Sequence, residues 1–470
     1  MRVLLINPYI PLAKFYGAKY ERFGAVLPPY GLCCISGYVN KFGGDVSVID
    51  ANKERMSVAA TARAVADGGC GLVGIYSTTL GYTEAKKLAQ AIRKLAPGVK
   101  LILGGPHAIG QKGQALENES AFDFVCLGEG EFTTRRLIDT IESGGDLGSV
   151  TGLAWRSPAG VVENSISEFI AMDDLVSPSR ELGDFAEYRQ KAFSYRRVPF
   201  TIVQTARGCP FQCVFCSSPT YLKTIQGSKI RSHSIEWLDN ELDYLVNHKG
   251  IREIYFVDDT FNLKIKRVEA ICDLILRKYP KLIWSCNFEV NIATKELLAL
   301  MQRAGCWSIM IGVESGSQRI LDTIKKGIKV EQVLKVSEWC YNLGLMGRAS
   351  FIIGNPGETT ETVAETIALA RKITFPFITF SLMTPFPGSE FFDTAPQYGI
   401  VNYNTDSASL STVSFTPHGL TSAFLKESQR SAHLQVYLDP IKGVKLLAYL
   451  KKTQNREFMY HLFKQIIINR

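Results

Sequence analysis

No uninterrupted apolar stretch in this chain of 470 residues approaches the ~18 that a membrane span needs. The opening MRVLLINPYIP has too short an apolar run for a secretory leader, and no small-residue cleavage site follows it. A soluble, cytoplasmic protein with no transmembrane segment is therefore expected. Eleven cysteines, an odd number scattered without a disulfide-rich spacing, fit reduced thiols better than bridges. No excess of one charge sign dominates: 21% of residues are charged, mixed in sign, and the net charge of +8 is modest for the length, which argues against a disordered scaffold. Nucleic acid is not an expected partner. No short-period repeat interrupts the chain, and no GxGxxG follows the first apolar run at Asn7, which argues against a dinucleotide-binding domain.

What the chain does contain is alternation. Between residues 3 and 143, short β-branched runs at 3–7, 45–50, 72–76, 100–104 and 122–127 alternate with helix-period segments at 31–41, 58–66, 83–95 and 133–143. This is the pattern of a doubly wound, flavodoxin-like parallel sheet. Ligands of such sheets sit beyond the carboxyl ends of the strands. Scattered Gly, Ser, Asp and Pro then predict a linker over 146–198, with room for one hairpin. Strand-then-helix order resumes at 201–205, 253–257, 282–285, 308–311, 350–353 and 378–382, with helices such as 235–247, 268–277 and 361–372 between, giving a partial (β/α)6 TIM-like barrel. The expected domains are thus 1–145, a linker, 199–395 and a small helical C-terminal segment over 396–470, in which KGVKLLAYLKK at 442–452 reads as an amphipathic helix covering the barrel.

The sharpest local signal is RGCPFQCVFC, where Cys209, Cys213 and Cys216 follow the first barrel strand. Thiolates with gaps of three and two residues can converge on three irons of a cubane and leave the fourth open, whereas a structural zinc would want a fourth ligand that is not evident. Cys272, Cys286, Cys306 and Cys340 stand singly on predicted strands or helices, where small buried thiols are common.

This Cys-x3-Cys-x2-Cys loop, with Phe215 before the last cysteine, resembles the signature of the radical S-adenosylmethionine superfamily. The resemblance implies a [4Fe-4S] cluster on Cys209, Cys213 and Cys216 whose open iron chelates S-adenosylmethionine and cleaves it to a 5′-deoxyadenosyl radical. It also implies sites at the strand exits. Asp258 and Asp259 in FVDDTFN stand where the family binds the methionyl amine, although its Gly-Gly-Glu form is absent and a helix-capping role fits either aspartate too. The third strand exits through Asn287 and Glu289, and Glu314 in IGVESGS stands in the ribose-binding region. FIIGNPGET and MTPFPGS resemble loops that approach the adenosyl group, and Arg231 resembles a family arginine near the cluster.

The N-terminal loops PPYGL, YSTT, GGPHA and LGEGE resemble the cobalamin-binding domain that precedes the radical domain in class B radical methyltransferases and anaerobic cyclases. That implies cofactor contacts at Pro29, Ser77, Thr78, Gly104, Gly105, His107, Gly128 and Glu129. The Asp-x-His-x-x-Gly cobalt-ligand motif is missing, ANKERM following Asp50 instead, so His107 is expected in a loop or hydrogen-bonding role. The implied reaction is methylation of an unactivated carbon, with an oxidative cyclase or rearrangement enzyme and a non-catalytic cobalamin or redox sensor as alternatives. A small-molecule, lipid, tetrapyrrole or peptide substrate and an electron donor such as flavodoxin or ferredoxin are the implied partners. Methylthiolation is disfavoured, because Cys33, Cys34, Cys70 and Cys126 are misplaced for a second cluster.

Overall fold

The computed structural model describes residues 1–11, 25–166, 169–176, 178, 188, 194–218, 230–404, 409 and 412–452. Much of the expected linker and the tail beyond 452 lie outside these residues.

The N-terminal apolar runs form β1 (Arg2–Asn7), β2 (Asp45–Asp50), β3 (Leu72–Tyr76), β4 (Lys100–Gly104) and β5 (Phe124–Cys126), parallel and in the order β2-β1-β3-β4-β5. Such strands are buried on both faces, which is why each reads as a continuous apolar run. Leu4, Ile6, Val73, Ile75, Leu101 and Leu103 pack on one face against α2 (Val58–Asp67) and α3 (Tyr82–Leu95). Val3, Leu5, Leu72, Ile102 and Phe124 pack on the other against α1 (Tyr30–Lys41) and α4 (Gly130–Ser143).

The hairpin in the segment read as a linker is β6 (Leu153–Ser157) and β7 (Gly160–Glu163), and it joins this sheet antiparallel to β5. The sheet therefore has seven strands and reaches Glu163. Pairing through Phe124–Trp155 covers the β5 edge, which would otherwise present open backbone groups.

The second sheet carries β8 (Phe200–Val203), β11 (Glu253–Phe256), β12 (Ile283–Asn287), β13 (Cys306–Glu314), β14 (Met346–Ile353) and β15 (Phe377–Leu382), all parallel and adjacent in that order. Between β8 and β11 a two-residue antiparallel pair forms, β9 (Ala206–Arg207) with β10 (Arg231–Ser232). Ile254, Phe256, Trp284, Cys286, Ile309, Ile311 and Phe351 belong to one apolar core with the flanking helices α5 (Ile235–Asp243), α6 (Ile265–Lys278), α7 (Lys295–Arg303), α8 (Val330–Leu343) and α9 (Thr360–Lys372). The residues alternating with them, among them Tyr255, Asn287, Met310, Arg348 and Ser350, turn to the opposite, more polar face.

The sheet's free edge is sealed by α10 (Ser422–Tyr437), which is followed by α11 (Pro440–Lys452). Tyr437 Oη donates to Ile378 O at 2.6 Å and Gln429 Nε2 to Phe380 O at 2.8 Å, while Ile378 N donates back to Tyr437 Oη at 3.1 Å. The tail thus satisfies the backbone of β15.

Candidate functional site

Past Val203 the chain reaches the carboxyl-terminal rim of the barrel and turns at Gly208, whose φ of +101° suits glycine, into the cysteine loop. Eight of the eleven cysteines are buried, and Cys209, Cys213 and Cys216 are the three that are half-exposed. They lie close enough to act on one another electrostatically. Burial pushes the Cys213 thiol up to about 12, with Lys326 opposing the rise, so a metal there must displace a proton.

The loop is held from several sides. Gly208 N donates to Asp259 Oδ2 at 3.2 Å, and Cys209 Sγ lies 3.7 Å from Thr260 Oγ1. Val214 N donates to Ile324 O at 3.1 Å, and Val214 O accepts from Phe391 N at 2.8 Å. Phe215 packs, half-buried, against the barrel core.

Asp258 and Asp259 do different things. Asp258 is buried and accepts from the Thr205 and Ala206 amides and, at 2.6 Å, from Thr205 Oγ1. Burial raises its carboxyl to about 6 even so. Exposed Asp259 holds the amide of Gly208. Both aspartates therefore fix the backbone leading into the cluster loop.

Glu314 ends β13 at a register shift, with φ +69°, and is buried. A Cβ at Gly312 would meet Glu314 Oε1 at 2.1 Å, so glycine makes room for the carboxylate. Burial raises Glu314 to about 7, with Lys326 opposing and Glu289 adding to the shift. Lys326 Nζ donates to Glu289 Oε2 at 2.8 Å, with the two side chains 10% and 7% exposed. Sequence reasoning missed this lysine, because KKG carries no motif and its partner lies 37 residues away.

Across from this rim, the carboxyl ends of β1, β3, β4 and β5 open on a cavity of about 400 Å³. Of the residues expected to contact the cofactor, Gly104, Gly105, Gly128 and Glu129 line it. So do Tyr30, Tyr76 and Glu131, which belong to the same expected loops without having been singled out, and, from the barrel and not expected, Gln204, Arg207 and Val257. A Cβ at Gly31 or Gly104 would meet no protein atom within 4 Å, so both leave open space to the cavity.

Pro29, Ser77, Thr78 and His107 are not among the lining residues. Pro29 O accepts from Leu32 and Cys33 at the start of α1, and Ser77 joins Gly104 O to His107 N through its backbone. Thr78 Oγ1 accepts from Gly81 N at 3.2 Å. His107 is buried, stacks on Tyr82 at 4.0 Å and places Nδ1 3.3 Å from Thr79 Oγ1. Burial lowers its pKa to about 4, so it is neutral at ordinary pH. Among the described residues no histidine lines the cavity.

The two domains meet at this cavity. Arg207 Nη2 donates to Glu131 Oε1 at 2.7 Å, and its Nη1 lies 3.1 Å from Glu129 Oε2. Arg231 pairs with the other oxygen of Glu129. Elsewhere on the seam the backbones touch: a Cβ at Gly110 would lie 2.3 Å from Pro387 O, and one at Gly388 2.7 Å from Gly110 Cα.

A radical SAM superfamily model matches residues 203–370, and a B12 binding domain model matches residues 20–138. An uncharacterised methyltransferase of Pyrococcus horikoshii is 32% identical over 86% of this chain and 84% of its own length. The chain belongs to the radical S-adenosylmethionine superfamily. This superfamily member also carries the cobalamin-binding domain ahead of its barrel. The anaerobic magnesium-protoporphyrin IX monomethyl ester cyclase of Rubrivivax gelatinosus is 26% identical, over 83% of this chain and 69% of that protein. The solved structure of the radical methyltransferase TsrM from Kitasatospora setae, with cobalamin and a [4Fe-4S] cluster bound, superposes with a TM-score of 0.66 at 19% identity, covering 84% of this chain and 75% of that one. That likeness is one of fold. Among the described residues no helix is long and apolar enough to cross a membrane.

Proposed function

We propose that this protein is a cobalamin-dependent radical S-adenosylmethionine methyltransferase acting on an unactivated carbon. One placement carries the reading: Arg207, two residues ahead of Cys209, is also a wall of the N-terminal cavity, so the cavity and the cysteine loop share that segment.

The residue types suit the groups required; among the described residues no three Cys, His, Asp or Glu side chains stand close enough to hold a metal ion, so Cys209, Cys213 and Cys216 would have to draw together around the cluster. Three half-exposed thiols on a braced loop suit a three-ligand cluster, and the cavity walled by Gly31 and Gly104 suits a large planar ligand. Among the described residues no histidine lines the cavity, so Tyr30, Tyr76, Glu129, Glu131 and Arg207 are the polar groups that would hold the cofactor there. When bound, these groups supply one-electron cleavage of a sulfonium and a transferable methyl group.

The chain's own residues do the remaining work. Asp259 and Asp258 set the loop that presents the thiols. Lys326, a buried cation within electrostatic reach of Cys213, would meet the carboxylate of S-adenosylmethionine, while Glu289 and Glu314 keep that lysine charged. A cytoplasmic location, a flavodoxin- or ferredoxin-type electron donor and a small-molecule, lipid, tetrapyrrole or peptide acceptor accompany this reading.

Turnover with deuteromethyl S-adenosylmethionine tests it. The product should carry the deuterated methyl group, whereas an unlabelled cyclised or oxidised product would place the protein with the cyclases instead.

A further inference from the structure

Four charged side chains at the domain seam alternate in sign along one continuous path: Arg231, Glu129, Arg207, Glu131. The carboxylates come from the LGEGE loop of the cobalamin-binding domain, at the start of α4, where acidic groups suit the helix N-terminus. The guanidinium groups come from β9 and β10, which pair Arg207 directly opposite Arg231. The path is enclosed: Glu131 is 3% exposed and Arg207 14% as side chains. Further contacts fix the arginines, since Arg207 Nε donates to Gln204 Oε1 at 3.1 Å and Arg231 lies over the Phe169 ring at 3.7 Å. Arg207 is also covalently joined through Gly208 to Cys209. Three of the network's members, Glu129, Glu131 and Arg207, thus line the cavity, and Arg207 is also continuous with the cysteine loop.

Such an arrangement does more than glue two domains. Ion pairs with this little exposure hold one geometry, because loss of either partner leaves the other buried without a counter-charge. The second seam contact, Gly110 against Gly388, is a bare backbone approach next to the cavity residue Ile109 and supplies a pivot with no directional bond. Tyr30 Oη, donating to Gln204 O at 3.5 Å, and Cys33, packed into the barrel core, also cross the seam, and the ionic path is its charged, directional part. We propose that Arg207 and Glu131 are positioning residues that set the separation between cobalamin and the iron–sulfur cluster. The proposal rests on the reading of function given above.

The test uses full-length protein reconstituted with iron, sulfide and cobalamin, and needs no substrate. The probe is the paramagnetic relaxation of cob(II)alamin by the reduced cluster, which depends steeply on their distance, measured on protein holding both cofactors. Native protein should give a single relaxation enhancement. Arg207→Gln should weaken it severalfold or spread it over a range, and Arg207→Lys should do so less. Arg207→Gln combined with Glu131→Gln, which removes the unpaired buried charge, should recover part of the native value. An enhancement unchanged in Arg207→Gln overturns the positioning role. So does a set of variants that each empty one cofactor site, because the network then belongs to that site alone. Native protein that takes up no cobalamin overturns the functional reading instead, which keeps the two failures apart.

Discussion

Lys326 is bonded to Glu289 at 2.8 Å in the barrel interior, and its charge is felt at the Cys213 thiol. A buried ammonium is stable only beside carboxylates, and Glu289 and Glu314 both hold its pKa above the ordinary lysine value against the effect of burial. Lys326 therefore stands as a charged ammonium within electrostatic reach of the Cys213 thiol.

Lys326→Met is expected to weaken S-adenosylmethionine binding by roughly tenfold to a hundredfold, about 1.4 to 2.8 kcal/mol. Iron content should stay at the native level. Equilibrium binding of S-adenosylmethionine to the reconstituted variant checks this, and an unaltered dissociation constant would remove Lys326 from the site.

Replacing Cys209, Cys213 or Cys216 singly by alanine should abolish stable cluster iron, whereas Cys272→Ala should not. The former three are half-exposed on one loop, and Cys272 is buried in the apolar core. Iron and sulfide assays on the four variants decide the matter.

Gly104→Leu should lower cobalamin binding at least tenfold and leave the iron intact. A Cβ at Gly104 meets no protein atom within 4 Å and the position lines the cavity, so the fold itself should tolerate the added side chain. Cobalamin retention after gel filtration, read against iron in the same sample, tests that separation.

His107 gives a pH signature. Its pKa falls from 6.5 unfolded to about 4 folded. A depressed folded pKa means stability that is complete above the unfolded value and lost as pH falls through the folded one. The full effect is about 3 kcal/mol. His233 behaves likewise, while Glu253, raised to about 7, changes in the opposite sense as pH rises. The clean readout is thus the stability difference between native protein and His107→Gln, which should shrink by about 3 kcal/mol from pH 7 to pH 4. A pH-independent difference would mean His107 is not buried as a neutral ring.

The N-terminal strands were legible because parallel strands covered on both faces are apolar throughout, as in VLLI of β1. The β6–β7 hairpin was harder to place, since β6 reads LAWRS, apolar at Leu153 to Trp155 and polar at Arg156 and Ser157, and that short run does not show which sheet it joins. β14 begins at Met346, four residues before the expected start at 350, because Gly347 and Arg348 break the apolar run. A Cβ at Gly347 would lie 1.8 Å from the Phe375 ring, and Arg348 belongs to the polar inner face. The cysteine loop was visible in its spacing alone. The ion path from Arg231 to Glu131 was not, although both LGEGE and RGCP had been singled out, because a contact across 76 residues leaves no trace in one sequence.

Anaerobic reconstitution with iron, sulfide and cobalamin, followed by reduction and addition of S-adenosylmethionine, addresses the whole proposal at once. Iron sufficient for a [4Fe-4S] cluster, bound cobalamin and formation of 5′-deoxyadenosine are expected together, with all cluster iron lost in the Cys209, Cys213 and Cys216 triple alanine variant. A native protein that takes up zinc in place of the cluster, or that holds both cofactors and leaves S-adenosylmethionine intact, would contradict it.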